Sequence, residues 1–351
     1  MKIVLLALTL FGVHVGYCQQ AKPPKIQWSA YAEVYFSGPL QRAAPPEKPS
    51  FIYNHARNNE LNLNLAYVKA SYVLPRFRAN VGLMAGNYAQ NNLSAEPSWA
   101  RAIWEANVGM KLFKEKQIWI DVGVLPSHIG FESAVSADCW TLTRSLLAEN
   151  SPYVETGVKI GYTSKNQQWY IAGLYLNGWQ KIRSPFSIQR PAFGTQINYK
   201  PTGKLTLNYS NFIGVNQQLG IASTRHFHNV YAQYQLNPKW GFIAGVDVGS
   251  DKFSATQYGT WHTAAFLVQH KLTPKINIAG RYEYYHDPKQ VMIFSGTPNG
   301  FSTQGFSSNV DVAVNPQFKM RLEGRLLRQR ETLGNQPRNS PSITTNLTFT
   351  W

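Results

Sequence analysis

Apolar and polar residues alternate in segment after segment of this chain, each about as long as a tilted strand must be to cross a membrane. In residues 59–68, Leu61, Leu63 and Leu65 share one face while Glu60, Asn62 and Asn64 share the other. Residues 77–85 set Phe77, Ala79, Val81, Leu83 and Ala85 against Arg78, Asn80 and Gly82; residues 104–112 set Trp104, Ala106, Val108, Met110 and Leu112 against Glu105, Asn107 and Lys111. Val154, Thr156, Val158, Ile160 and Tyr162 oppose Glu155 and Lys159. Leu205, Leu207 and Tyr209 oppose Thr206, Asn208 and Ser210, and Val230, Ala232, Tyr234 and Leu236 oppose Tyr231, Gln233 and Gln235. A period of two gives a sheet one oily face and one wet face. Helical spacing explains none of these segments.

Short connections fall at residues 74–76, 114–116, 164–166, 201–203, 237–239, 273–275 and 315–317, five of them marked by Pro75, Pro201, Pro238, Pro274 and Pro316. Proline cannot donate to a ladder and belongs outside the strands. Longer polar stretches occupy residues 38–58, 91–100, 127–152, 180–190, 216–224, 287–305 and 333–341. Tight turns alternating with long loops are the wiring of an outer-membrane barrel, with the turns on the periplasmic side. Adding a first strand near residues 26–36 and a last near 342–351 predicts one all-β, antiparallel transmembrane β-barrel of about 16 strands over residues 19–351. The last strand alternates Ile343, Thr345, Leu347, Phe349 and Trp351. As a soluble edge it would be an aggregation hazard, whereas in a barrel it is the expected address for the assembly machinery and then the partner of the first strand. Phe77, Trp240 and Phe318, each two residues after a turn proline, are expected in an interfacial belt; Trp119 and Trp169 lie near turns on no defined face.

The N-terminus reads as an export signal over residues 1–18, with Lys2 ahead of an apolar stretch from Ile3 to Val15 that is too short to span a bilayer as a helix. Tyr17 is bulky where lipid attachment at Cys18 would want a small residue, so ordinary cleavage is expected. Cys139 is then the sole thiol, which excludes an intramolecular disulfide and a cysteine-based metal site. The composition is that of a wall rather than a soluble core: Tyr 19, Phe 18 and Trp 10 with only 15% charged residues, the apolar ones spread out one position in two.

If the apolar face meets lipid, the other face lines the lumen. Residues 316–329 turn Phe318, Met320, Leu322, Gly324 and Leu326 outward and Lys319, Arg321, Glu323 and Arg325 inward. Arg281 and Glu283, and earlier Glu33, Arg78, Glu155 and Lys159, are expected inward too. The formal charge of +16 favours anions in a narrow channel. Pairing of these arginines with Glu33, Glu283 and Glu323, or contact with acidic headgroups, would absorb the charge instead.

One loop looks structured. Residues 137–149 (ADCWTLTRSLLAE) have helix-forming residues and an apolar face from Trp140, Leu142, Leu146 and Leu147. By analogy with sixteen-strand porins, this segment would fold into the pore as a constriction carrying Glu132, Asp138, Arg144 and Glu149; a cap on the outer rim is the alternative.

Enzymatic readings find no support. His226, His228 and His262 lack a completing cysteine or carboxylate, no serine sits in a recognisable triad frame, and no glycine-rich phosphate loop opens a helix. The arginines are spread along strands rather than clustered as nucleic-acid binding requires. No cofactor or metal is expected.

Three stretches resemble the outer-membrane β-barrel porins of Bacteroidota: HARNNELNLNLAYVKASYV at residues 55–73, IWEANVGMKL at 103–112, and above all LPSHIGFESAVSADCWTLTRSLLAENSPYVETGVKIGYTS at 125–164, followed by LYLNGWQ. The resemblance spans most of the chain past its leader. It implies a barrel in the outer membrane of a Gram-negative envelope and carries no catalytic or ligand residues. Together these readings lead us to expect a channel for passive diffusion of small polar or anionic solutes, surrounded by outer-membrane lipid and capable of forming a homo-oligomer. The alternatives are a non-conducting barrel serving as an accessory or scaffold of an outer-membrane complex, and a soluble secreted β-protein.

Overall fold

The computed structural model describes residues 26–41, 45–183, 190–218, 221–254, 256–333 and 337–351; the leader expected at residues 1–18 lies outside them. Sixteen strands follow one another: β1 (Gln27–Pro39), β2 (Leu61–Val73), β3 (Phe77–Ala85), β4 (Ile103–Lys111), β5 (Gln117–Pro126), β6 (Val154–Thr163), β7 (Trp169–Leu176) and β8 (Ala192–Thr202). The second half comprises β9 (Leu205–Gln218), β10 (Ile221–Gln235), β11 (Trp240–Lys252), β12 (Tyr258–Lys271), β13 (Ile276–Asp287), β14 (Phe301–Ala313), β15 (Phe318–Gln329) and β16 (Asn339–Thr350). Each pairs antiparallel with its sequence neighbours, and β1 pairs β16 to close the barrel. Closure leaves no unpaired edge, the condition for strands to cross lipid. At the seam the Ala30 and Trp351 backbones exchange two hydrogen bonds, each 2.8 Å.

Outward residues are the apolar ones, as the alternation requires: Val81, Leu83, Val108, Val230 and Leu347 are all exposed on the exterior. No helix among the described residues is long and apolar enough to span a membrane; the strands do so. Phe77, Trp240 and Phe318 lie on the outer face near the turns, where Trp240 stacks on His270 at 4.1 Å and Phe318 meets Phe349 at 5.1 Å. Trp169 joins them, stacked on Tyr199 at 4.0 Å. Trp119 turns inward, with the Arg78 guanidinium 4.4 Å over its ring.

The pattern misleads in two places for one reason. Opposite β1, the register passes from Leu65 to Leu63 and skips Asn64; opposite β3, it passes from Glu105 to Ile103 and skips Trp104. An extra residue in one strand reverses the facing of everything beyond it. Leu65, expected on the lipid side with Leu61, is instead fully buried inside with Tyr31, and Trp104 stacks inside on Tyr67 at 4.6 Å. Val154, also expected outward, is buried in the same cluster under the loop that precedes it. The long loop expected at residues 216–224 is mostly strand, since β9 and β10 remain paired up to Gln218 and Ile221.

Candidate functional site

The barrel interior is occupied by its own loop. Residues 127–153, between β5 and β6, fold inward and cross the lumen to the far wall of β13–β16. Two short helical turns, Ser136–Asp138 and α1 (Leu146–Glu149), are the regular structure in this segment, so the single helix expected at 137–149 does not form. The reason is competition for its backbone. The Leu142 amide donates to Asn309 Oδ1 (3.0 Å), the Thr143 amide to Glu323 Oε2 (2.6 Å), and the Leu146 amide to Glu283 Oε2 (2.6 Å). Wall side chains thus take the partners that a helix would have used within itself. Ser145 caps α1 by accepting from the Ala148 amide at 3.2 Å.

Arginines hold the loop's carbonyl side. Arg281 donates to the Thr143 carbonyl (2.6 Å) and Thr141 Oγ1 (2.7 Å) while pairing with Glu323 at 3.0 Å and Glu283 at 3.4 Å. Arg321 donates to the carbonyls of Ser136 and, at 2.9 Å, Cys139, and pairs with Asp311 at 2.7 Å. Arg325 closes the network on Glu283 at 2.8 Å, and the Lys319 amine reaches the Ala137 carbonyl at 2.7 Å. These inward residues were legible from parity, yet Arg281, Glu283, Arg321 and Glu323 are almost completely buried beneath the loop. Buried charges of this kind persist only when opposite charge and hydrogen bonds replace the water they lose.

The expected constriction residues divide. Arg144 is fully buried and turns back on its own loop, donating to the carbonyls of Ser133 (2.5 Å), Leu142 (2.8 Å) and Ala134 (2.7 Å); it braces the loop. Glu149 accepts from the Tyr53 amide (2.8 Å) and from Asn54, tying this loop to residues 45–60; burial raises its carboxyl above the usual range. Glu132 accepts from Ser145 and is likewise raised by burial. Asp138 alone of the four remains exposed.

Two His–Glu contacts were not anticipated, one midway along β1 and one at the outer ends of β5 and β6. His55 Nε2 meets Glu33 Oε1 at 2.7 Å; burial lowers its pKa, against the pull of Glu33, and favours the neutral ring donating to the carboxylate. His128 differs because both nitrogens face acceptors: Nδ1 meets Glu155 at 2.8 Å and Nε2 the Asn211 carbonyl at 2.7 Å. The imidazolium alone satisfies both. Burial lowers the His128 pKa, but the charge and hydrogen bond of Glu155 outweigh it and the net shift is upward. A raised folded pKa contributes stability that is complete below the unfolded value of about 6.5 and lost as pH rises through the folded value. Amide exchange across residues 127–131 should therefore accelerate as pH is raised from about 6 to about 9 beyond the intrinsic base catalysis, and His128→Gln should remove the excess. An unchanged excess in the variant would assign it elsewhere.

The remaining inward candidates stand on the opposite wall. Arg78 pairs with Asp121 at 2.5 Å and Lys69 with Glu105 at 2.5 Å, while Lys159 registers opposite Asp121. Lys69, Arg78, Asn80, Lys159 and Gln196 keep part of their surface in solvent. A cavity of about 270 Å³, lined by Met84, Tyr88, Trp104, Phe131, Glu132 and Tyr153, lies between this wall and the root of the loop. The loop covers one wall, and on the other Lys69, Arg78, Asn80, Lys159 and Gln196 stay part-exposed beside the buried Glu105, Asn107 and Asp121. His226, His228 and His262 point outward, and no group of three ligating side chains occurs among the described residues.

Several solved structures share this architecture. The outer membrane channel DcaP of Acinetobacter baumannii superposes with a TM-score of 0.64 at 7% identity, over 95% of this chain and 99% of that one. The anion-selective porin from Comamonas acidovorans gives 0.62 at 8%, over 93% and 100%. OmpT of Vibrio cholerae in its trimer form gives 0.61 at 9%, over 94% and 100%. At such identities the likeness is one of fold. No curated protein matches the sequence. The family model "Putative beta-barrel porin-2, OmpL-like" matches residues 25–351. Porins are channels and not enzymes, and their place is the outer membrane of Gram-negative bacteria. A closed sixteen-strand barrel with an oily exterior, matched by that model over nearly its whole length, belongs to the beta-barrel porin-2, OmpL-like family.

Proposed function

We propose that this protein is a narrow diffusion channel for small polar solutes with a modest preference for anions, its bore set by the loop at residues 127–153. The observation that carries this reading is the asymmetry of the lumen: the loop is pinned to β13–β16, while Lys69, Arg78 and Lys159 remain wetted on β2, β3 and β6. An amine and a guanidinium at a low-dielectric constriction attract anions, but each has a carboxylate beside it, so the bias is small. The likeness to an anion-selective porin and to a trimeric one supports anion preference and self-association to the extent that a shared fold can. The resemblance of residues 125–164 to porins of Bacteroidota supports that lineage.

A second reading, a closed barrel acting as an accessory subunit, is favoured by the complete burial of the Arg281, Glu283 and Glu323 side chains. Planar-bilayer recording separates the two. Small, stepwise conductance with a reversal potential displaced toward the anion value is expected under a salt gradient. Silence in bilayers, together with co-purification of another outer-membrane protein, would establish the second reading.

A further inference from the structure

The exterior carries a feature that a solute channel does not use. On β12 the outward residues run His270, Val268, Phe266, Ala264, His262, and on β13 Ile278, Gly280, Tyr282, Tyr284, His286. His270 stacks on Trp240 and so marks the turn-side edge of the apolar band. His262 stands eight residues further along. At about 3.4 Å per residue and a strand tilt of about 40°, that is a height of roughly 21 Å. A lipid-facing band is about 25 Å tall, so His262 sits where hydrocarbon gives way to the outer headgroups.

There the register assembles a polar, basic row. His286 lies opposite His262 with the rings 5.2 Å apart, and Ser302 lies opposite His286. The Arg330 amide bonds the Ser302 carbonyl at 2.9 Å, which brings the exposed Arg330 into the same row. Arg328, also exposed, lies opposite Gln304. Just below, Phe266, Tyr282, Phe306 and Leu326 form an unbroken apolar row. On the opposite rim the exposed arginines, Arg183 and Arg190, lie in the loop beside Tyr175. The Nδ1 atom of His286 is buried and without a hydrogen-bond partner among the described residues.

We propose that this patch on β12–β15 binds the phosphate group of an outer-leaflet lipid. Arg328 and Arg330 supply charge and forked donors, His262 and His286 each present a ring N–H in either protonation state, and the apolar row beneath receives the acyl chains. Free phosphate would have the same donors but nothing to lay along Phe266 and Phe306. The two parts, an anionic head and an oily tail, match the two halves of the patch.

The test uses the whole protein in detergent, with bound lipid counted by native mass spectrometry. The probes are a diphosphorylated glucosamine-based glycolipid, the same lipid dephosphorylated, and inorganic phosphate. A one-to-one adduct is expected with the phosphorylated lipid, weakened about tenfold or more by combining His262→Ala, His286→Ala and Arg330→Ala. Thr195→Ala, on the far side of the barrel, should leave it unchanged. All of these side chains lie outside the lumen, and a heat-modifiable gel band reports whether each variant is folded; if the triple variant is not, Arg330→Gln serves in its place. Equal retention of the dephosphorylated lipid, or undiminished binding by the folded variant, overturns the proposal. Saturation by inorganic phosphate at the same concentration overturns the assignment to lipid.

Discussion

Replacing Glu323 by alanine should free the middle of the inserted loop and raise single-channel conductance by about twofold or more. Glu323 binds both the Thr143 amide (2.6 Å) and its hydroxyl (2.7 Å), and it neutralises Arg281. Without it Arg281 is left buried against Glu283 alone, at 3.4 Å. Removing one partner of a buried pair costs about 3–5 kcal/mol, because the other charge stays desolvated. That cost falls on the docked state of the loop and vanishes when the loop swings away and Arg281 meets water. The substitution therefore shifts an equilibrium toward the open lumen, and the barrel wall, held by its own ladder, is spared. Faster amide exchange at residues 141–146 should accompany the larger steps. Wild-type conductance with unchanged exchange would mean that Glu323 contributes nothing to docking.

The second large effect is expected at Arg321, which holds the preceding part of the loop. Its guanidinium spans Asp311 on the wall and the carbonyls of Ser136 and Cys139 on the loop. Arg321→Ala strands Asp311 in a buried site and leaves two carbonyls without their donor, again a loss of about 3–5 kcal/mol. Lysine restores the charge opposite Asp311 but not the planar fork that reaches two carbonyls together, so Arg321→Lys should recover only part of the loss. Exchange should quicken at residues 136–140, ahead of the segment that Glu323 controls. The two substitutions act on adjacent stretches of one loop, so their combined effect on conductance should fall short of the product of the separate effects. Full rescue by lysine would reduce Arg321 to a simple counter-charge.

How far the sequence could be read depended on whether its signal was local. A strand records its two faces in consecutive residues, so Arg281, Glu283, Arg321 and Glu323 were placed inward from parity, and the structure puts them there. Their occupation was not legible. Glu323 and Thr143 are separated by 180 positions and Arg321 and Ser136 by 185, and nothing in either neighbourhood announces the other. The same distance explains the missed helix: ADCWTLTRSLLAE has the composition of one, but Asn309, Glu323 and Glu283 bid for its amides from across the barrel and win. His128 was passed over because a histidine in a loop is ordinary until both of its nitrogens are seen to face acceptors.

By itself the sequence determined the barrel, its sixteen strands, the side of the wall that faces lipid and the charge lining the other. Period-two alternation and turn placement are properties of neighbouring residues, and closure follows once every strand has one oily face. Tertiary structure alone decided the register at Asn64 and Trp104, where one extra residue carries Leu65 and Trp104 inside without any mark in hydropathy. It also decided that the inward charges of β13 and β15 hold the loop. A buried charge takes its role from the partner that replaces water around it, and those partners meet only when the barrel closes.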